Sequence, residues 1–253
     1  MALAALGLLA ALALMLGVWL ASLAYRDASL VDRFWGAGFV LLVWVYWLGA
    51  GSPAAGVVAV LAVSLWGGRL SLYLSWRNWG HGEDYRYQEM RRTHGERFAL
   101  VSLGTVFLLQ GLIMWLVAMP LLPASGVEGP VLFWLVAGLL LWAVGFAWET
   151  IGDWQMARFK ADPANKGQVM DRGLWRYCRH PNYFGEIVLW WGFYLMAVAA
   201  GGWWTIFGPA LMTFLLMRVS GVALLEKKLN ETRPAYRDYV ERTNALLPAP
   251  PRR

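Results

Sequence analysis

Between Arg172 and Glu186 the chain reads RGLWRYCRHPNYFGE, and directly after it an apolar run begins at Ile187 and continues to Ala200. Arg172, Arg176, Arg179, His180, Asn182 and Glu186 are gathered at the start of that run. Pro181 suits a first helical position, where its missing N–H would have no partner anyway. A helix starting there sets Asn182 and Glu186 four residues apart on one face, with Tyr183 beside them. The positive end of such a helix, ringed by guanidinium groups, can hold an anion with a hydrogen-bonding organic group next to it. The plainer alternative is a positively charged membrane anchor with a polar cap, but an anchor needs no Asn or Glu a turn inside the helix.

Other polar residues stand where an apolar environment makes them costly, which marks each as a candidate for function. Glu149 and Asp153 are spaced i, i+4 at the end of an apolar run, and two carboxylates so placed repel unless a donor lies between them. Ribose hydroxyls, a carboxamide or a basic side chain would serve. Asp32 and Arg33 open another run in LVDRFWG, Arg69 precedes Tyr73 by four residues, and Arg218 lies in the last apolar stretch. Structural ion pairs are an equal alternative for Arg69 and Arg218. The segment 77–97, RNWGHGEDYRYQEMRRTHGER, interleaves aromatic, acidic and basic residues. Arg77, Asn78, Asp84 and Tyr85 can offer a nucleotide guanidinium, amide and aromatic contacts, although a solvated amphipathic segment would look similar. Its GHG is too short to count as a phosphate-binding glycine motif. Lys160 and Lys166 add positive charge to the segment 155–182.

These residues must be held by helices. Of 253 residues 59% are hydrophobic and only 15% charged, well below the quarter usual in soluble domains. The expected fold is all-α, one polytopic membrane domain of seven transmembrane helices near 2–24, 34–50, 54–76, 98–122, 131–154, 183–200 and 203–225. The first run has no basic n-region and is long for a signal peptide, so it reads as a retained span. Of the 22 Lys and Arg, five fall in 77–97, six in 155–182 and seven in 226–253, whereas the segments 51–53, 121–130 and 201–202 hold none. The positive-inside rule then puts the N-terminus outside and the C-terminus in the cytoplasm. The single Cys178 excludes an internal disulfide, and His81, His94 and His180 lack metal-ligand spacing, so no metal site is expected. Basic residues that border apolar spans suit the membrane surface or an anionic cofactor, and no nucleic-acid partner is expected.

The stretches DRFWG, WRNWGHGEDYRYQEMR, the helix with Glu149 and Asp153, RGLWRYCRHPNYFGE and the tail from Glu226 through Tyr236 and Tyr239 to LLP resemble the steroid 5-alpha-reductase family, in particular its bacterial branch. The resemblance spans roughly residues 30–248, and NYFGE after a basic loop is its most specific piece. It implies seven membrane helices in a bacterial inner membrane, a cofactor site open to the cytoplasm, and NADPH-dependent reduction of the carbon–carbon double bond of an enone such as a 3-oxo-Δ4-steroid. The partners so implied are a small lipophilic substrate and membrane lipid. In that family a polar pair early in helix two, usually Gln-Glu, bonds the substrate ketone. Here the matching place holds Val31-Asp32 or Asp32-Arg33, according to register, and Trp66 stands where the family has a Tyr, with Tyr73, Tyr85 and Tyr87 as nearby substitutes. The catalytic set so implied is Asp32, Arg33, Tyr73 and Tyr87. On the cofactor side Asp153, Asn182 and Glu186 match the family pattern, while Glu149 and Lys160 replace an Asn and an Arg of mammalian members. The set implied for NADPH is Arg77, Asn78, Asp84, Tyr85, Glu149, Asp153, Lys160, Lys166, Arg172, Arg179, His180, Asn182, Tyr183 and Glu186.

The sequence RHPNYFG also resembles the RHPxYxG-type segment of isoprenylcysteine carboxyl and phospholipid methyltransferases, which use S-adenosylmethionine. Glu186 directly after the glycine and the long polar 77–97 segment favour the reductase. A non-enzymatic sterol or lipid binder would need no basic cluster joined to intramembrane carboxylates.

Overall fold

The structure, a computed structural model, describes residues 1–252 except Ser220, Ala223, Leu224, Lys227, Lys228, Asn230, Glu231 and Arg233. The described residues are helical or irregular, with no strand among them. Among the described residues four helices are long and apolar enough to cross a membrane: Ala2–Tyr25, Ala54–Arg77, Tyr85–Val117 and Leu132–Ala161. Trp35–Gly49 and Trp203–Val219 are shorter apolar helices. Many of their large side chains face outward, among them Leu9, Leu20, Leu61, Leu65, Leu72, Phe133 and Leu140. Helices apolar on their outer faces as well as their inner ones suit a lipid solvent. The chain falls into two compact units, Met1–Val131 with Ala197–Gly208, and Leu132–Met196 with Pro209–Arg253.

In the first unit, α1 (Ala2–Tyr25) ends where Arg26 turns left-handed and its N–H reaches back to Ser22 O. One short turn, α2 (Leu30–Arg33), leads into α3 (Trp35–Gly49), which packs on α4 (Val57–Arg77). Gly36 and Gly67 make that approach possible, since a Cβ on either would collide with the other's backbone. Ser71 Oγ accepts the orphan N–H of Ala37 at 2.8 Å, satisfying a donor at the start of α3. The polar segment expected to be a loop instead contains a ten-residue helix, α5 (Tyr85–His94), capped by the Asp84 carboxylate on the Arg86 N–H at 3.0 Å. The next span is interrupted: α6 (Phe98–Ser102) passes through a π-helical stretch, Leu103–Leu108, into α7 (Leu109–Val117). A short α8 (Leu121–Ser125) follows.

The second unit is built on α9 (Leu132–Ala161) and α10 (Pro181–Ala199). Helix α9 runs seven residues past the end expected from its apolar run, because WQMARFK continues in good helix formers, and Arg158 lies over the Trp154 ring at 5.1 Å. Gly138, Gly145 and Gly152 recur every seven residues on α9, and Gly185 and Gly192 do so on α10. A Cβ on Gly145 would strike Leu189 N and Gly185 O, and one on Gly185 would strike Glu149 N. The two backbones therefore touch along this seam, as small residues permit in a membrane. Helix α11 (Phe207–Phe214) continues as a π-helical stretch, Leu215–Val219, that includes Arg218. The rest of the expected span 203–225 includes Ser220, Ala223 and Leu224, which lie outside the described residues. Helix α12 (Tyr236–Arg242) leads into the tail.

Candidate functional site

In the first unit the polar residues converge on Asp32. Its Oδ2 accepts from Arg86 at 3.0 Å and its Oδ1 from the Tyr87 hydroxyl at 3.2 Å. Helix α5 brings both donors, and the α2 turn brings the acid. The two are stitched together by the Asp84 N–H on Ser29 Oγ at 2.7 Å and by the Ala28 N–H on Glu83 Oε1 at 2.9 Å. Arg91 pairs with Glu83 at 2.8 Å, and its donors together with the Ala28 N–H outweigh burial to hold the Glu83 carboxyl below the usual range. At Asp32 the balance is opposite: burial raises the carboxyl above its ordinary value despite Arg86 and Tyr87. Tyr87 is buried and the Arg86 guanidinium lies 5.3 Å from its ring centroid.

Other residues named from the sequence take different places in this unit. Arg33 turns away to Asp27 at 3.3 Å. Tyr73 sits one turn before the end of α4, 5.7 Å from the Arg77 guanidinium, and Arg77 Nε donates to Asn78 Oδ1 at 3.1 Å. The Arg77 charge is felt at Asp32. Tyr85 is exposed, and Trp66 is fully buried against Phe39.

The second unit gathers most of the cofactor-side set. Glu149, Asp153 and Glu186 are all buried at the glycine seam, where Gly152 faces Asn182 and Gly185 faces Glu149. Asn182 Oδ1 is buried with no hydrogen-bond partner among the described residues. Leaving such an acceptor unmade costs about 1–3 kcal/mol, a cost that a ligand N–H or O–H would relieve. Glu149 and Asp153 on α9 and Asn182 and Glu186 on α10 thus bring an acceptor-rich set to the two helices that meet at this seam, a set whose chemistry fits a donor-rich group such as a carboxamide or ribose hydroxyls. Tyr183 stacks on the His180 ring at 5.5 Å and 9°.

Arg179 and His180 are committed elsewhere. Arg179 gives Nε and Nη2 to the two oxygens of Glu226 at 2.8 and 3.0 Å, and Nη1 to the carbonyls of Val240 and Thr243. His180 Nε2 lies 2.9 Å from Glu226 Oε1. Burial would raise the Glu226 carboxyl, but His180 and Arg179 overcome it and bring it down to about 2. The backbone joins in: Arg179 N donates to Asn244 O at 2.9 Å, His180 N to Ala245 O at 3.2 Å and Ala249 N to Tyr177 O at 3.0 Å. Cys178 beneath this strap donates to Leu246 O, and burial pushes its thiol up to about 11. Arg179 and His180 thus spend these donors on the C-terminal tail. Lys160 and Lys166 are exposed, and Arg172 is exposed beside a surface groove. Sequence reasoning did not single out Arg86 or the clamp on Glu226 as parts of a site; the seven-residue glycine spacing is the signal by which the seam can be read.

The family model described as "Protein of unknown function (DUF1295)" matches residues 18–243. An uncharacterized protein of Schizosaccharomyces pombe is 29% identical over 263 residues, covering 91% of this chain and 75% of that protein. A probable O-methyltransferase of Ustilaginoidea virens is 32% identical over 91 residues, 36% of this chain and 30% of that protein. No solved structure matches the chain.

Proposed function

We propose that this chain, which belongs to the DUF1295 family, is a membrane reductase that uses NADPH to saturate the carbon–carbon double bond of a lipophilic enone, a 3-oxo-Δ4-steroid or similar isoprenoid. It crosses a bacterial inner membrane seven times, with the N-terminus outside and the cofactor entering from the cytoplasm. The observation that carries the reading is the Tyr87–Asp32 pair, a buried hydroxyl held by a carboxyl whose proton affinity is raised. Enone reduction needs such a donor, whereas methyl transfer does not.

NADPH, when bound, supplies a hydride to the β-carbon of the enone. Negative charge grows on the ketone oxygen, and a donor aimed at that oxygen lowers the barrier. Tyr87 is that donor. Protonated Asp32 hydrogen-bonds the phenol oxygen in place of accepting from it, which releases the Tyr87 hydrogen toward the ketone. Arg86 keeps the carboxyl in position. A proton from solvent completes the α-carbon, so one hydride and one proton are consumed for each double bond. In the second unit Asn182 Oδ1, with Glu149, Asp153 and Glu186, would accept from the carboxamide and ribose of NADPH, and Lys160 and Lys166 would supply positive charge for its phosphates.

The partial likeness to a probable O-methyltransferase favours a second reading, methyl transfer from S-adenosylmethionine. The two are separated by incubating purified protein with a 3-oxo-Δ4-steroid and NADPH, and in parallel with S-adenosylmethionine and lipid acceptors. Steroid-dependent loss of NADPH absorbance, with a product two hydrogens heavier, is expected. Methylated product without NADPH consumption would replace the reductase by the transferase.

A further inference from the structure

A groove of about 380 Å³ opens on the second unit between the turn Gly173–Arg176 and the end of α12, lined by Asp171, Arg172, Gly173, Arg176, Tyr239, Arg242, Thr243 and Pro251. Its walls are built by specific contacts. Gly173 and Arg176 share one face of a three-residue-per-turn helix, while Trp175 between them turns inward and donates to Gly152 O at 3.1 Å. Tyr239 fixes the other wall through its hydroxyl on Trp175 O. The tail folds back to close the end: Arg252 N donates to Arg242 O at 2.9 Å, and its guanidinium reaches Asn244 Oδ1 at 3.1 Å.

The charge in this groove is poorly compensated. Arg172 and Arg176 have no ion-pair or hydrogen-bond partner for their side chains among the described residues, and Arg242, whose Nε donates to Asp238 O at 3.2 Å, meets the Asp171 carboxylate at 3.8 Å. Planar guanidinium forks at an open pocket match the oxygens of a phosphate ester, which they can take two at a time. The buried cluster at Glu149, Asp153 and Glu186 is acidic and does not provide this.

We propose that the groove is a binding site for a phosphate ester, distinct from the acceptor-rich cluster, and that Arg176 and Arg242 are its principal ligands. The phosphate can come from the headgroup of an anionic phospholipid or from a soluble phosphate. The test is thermal stabilisation of the purified full chain in detergent by short-chain phosphatidylglycerol, by short-chain phosphatidylcholine and by inorganic pyrophosphate, in wild type, Arg176→Gln and Arg242→Gln. Both residues are exposed, so the variants should melt with wild type when no ligand is added.

A shift with phosphatidylglycerol alone identifies a lipid headgroup, and a shift with pyrophosphate identifies a soluble phosphate. In either case each variant should weaken the response on the order of tenfold in apparent affinity, and Arg176→Lys should lie between Gln and wild type. Equal shifts with phosphatidylcholine, no shift with any probe, or wild-type responses in both Gln variants would overturn the proposal. An NADPH titration run alongside separates it from the reductase reading. The Gln variants should bind NADPH as wild type does. NADPH affinity falling together with the phosphate response would show that the groove is part of the cofactor site and overturn its distinctness, whereas failure of NADPH to bind any form would sink the reductase reading and leave the groove standing.

Discussion

Tyr87 and Asp32 share one hydrogen bond of 3.2 Å, and Arg86 holds the other carboxyl oxygen at 3.0 Å. If this group serves the ketone oxygen, Tyr87→Phe should lower turnover with a 3-oxo-Δ4-steroid by about a hundredfold, the usual cost of one lost oxyanion donor. Asp32→Asn, which keeps a donor, should fall between wild type and Asp32→Leu, and NADPH titrations should be unchanged in all of them. Near-wild-type turnover in Tyr87→Phe would make the phenol structural. Asn182 supports a separate expectation. A ligand donor to its buried Oδ1 would make a hydrogen bond that Ala cannot, so Asn182→Ala should weaken NADPH binding on the order of tenfold while the unliganded melting point stays near wild type. Equal titrations would remove it from the site. At this scale the sequence was informative about types: an acid at the edge of an apolar run and i, i+4 polar pairs are visible without a fold. Partners were not. Arg86 reaches Asp32 across 54 residues, and Arg179 reaches Glu226 across 47, distances in sequence that no local pattern bridges.

Helices α9 and α10 owe their contact to glycines whose hydrogens face the opposite backbone. A methyl group at Gly185 has nowhere to go, and overpacking of this kind costs about 1–3 kcal/mol. Gly185→Ala should therefore lower the melting temperature by several degrees, and Gly185→Leu should abolish recovery of folded protein. An unchanged melting point in Gly185→Ala would mean that the seam yields. The strap at Glu226 carries a pH signature. Its carboxyl lies near 2 in the folded protein against an ordinary 4.5, so the strap contributes its full stability above about 4.5 and loses it as pH falls toward 2. The difference is worth roughly 3 kcal/mol. Glu226→Gln should lower stability at neutral pH and remove that part of the acid-induced loss; parallel pH profiles for wild type and variant would contradict the latch. The length of the apolar runs made the long helices legible, whereas helix α5 and its Asp84 cap were missed because the polar segment was read as a loop. The π-helical stretch Leu103–Leu108 was hidden, since LGTVFL reads like any other part of a continuous apolar helix. The helical extension to Ala161 was missed because hydropathy, not helix propensity, set the expected boundary.

For the molecule as a whole, four long apolar helices and two shorter ones are compatible with a membrane protein. The helix Pro181–Ala199 has the length to cross, but its polar first two turns leave it out of the long apolar set. Composition and charge distribution announced a helical membrane chain readily, because lipid demands apolar surface and basic residues gather on one face of the bilayer. They carry less about the division into two compact units, which depends on contacts between distant segments. The proposed seven crossings, with the N-terminus outside, predict that a cysteine placed in the segment 51–53 of a Cys178→Ala background is labelled from outside intact cells, and one placed at 162–167 is not. The opposite pattern would invert the topology. The central claim, that the chain is built for a nicotinamide dinucleotide, is tested most directly by ligand-dependent melting of the purified protein. A ligand that binds the folded state alone raises the melting temperature by mass action, with the logarithm of its concentration relative to its dissociation constant. NADPH and NADP should raise it, with NADPH ahead of NADH, while S-adenosylmethionine leaves it unmoved; stabilisation by S-adenosylmethionine with no response to NADPH would contradict the account.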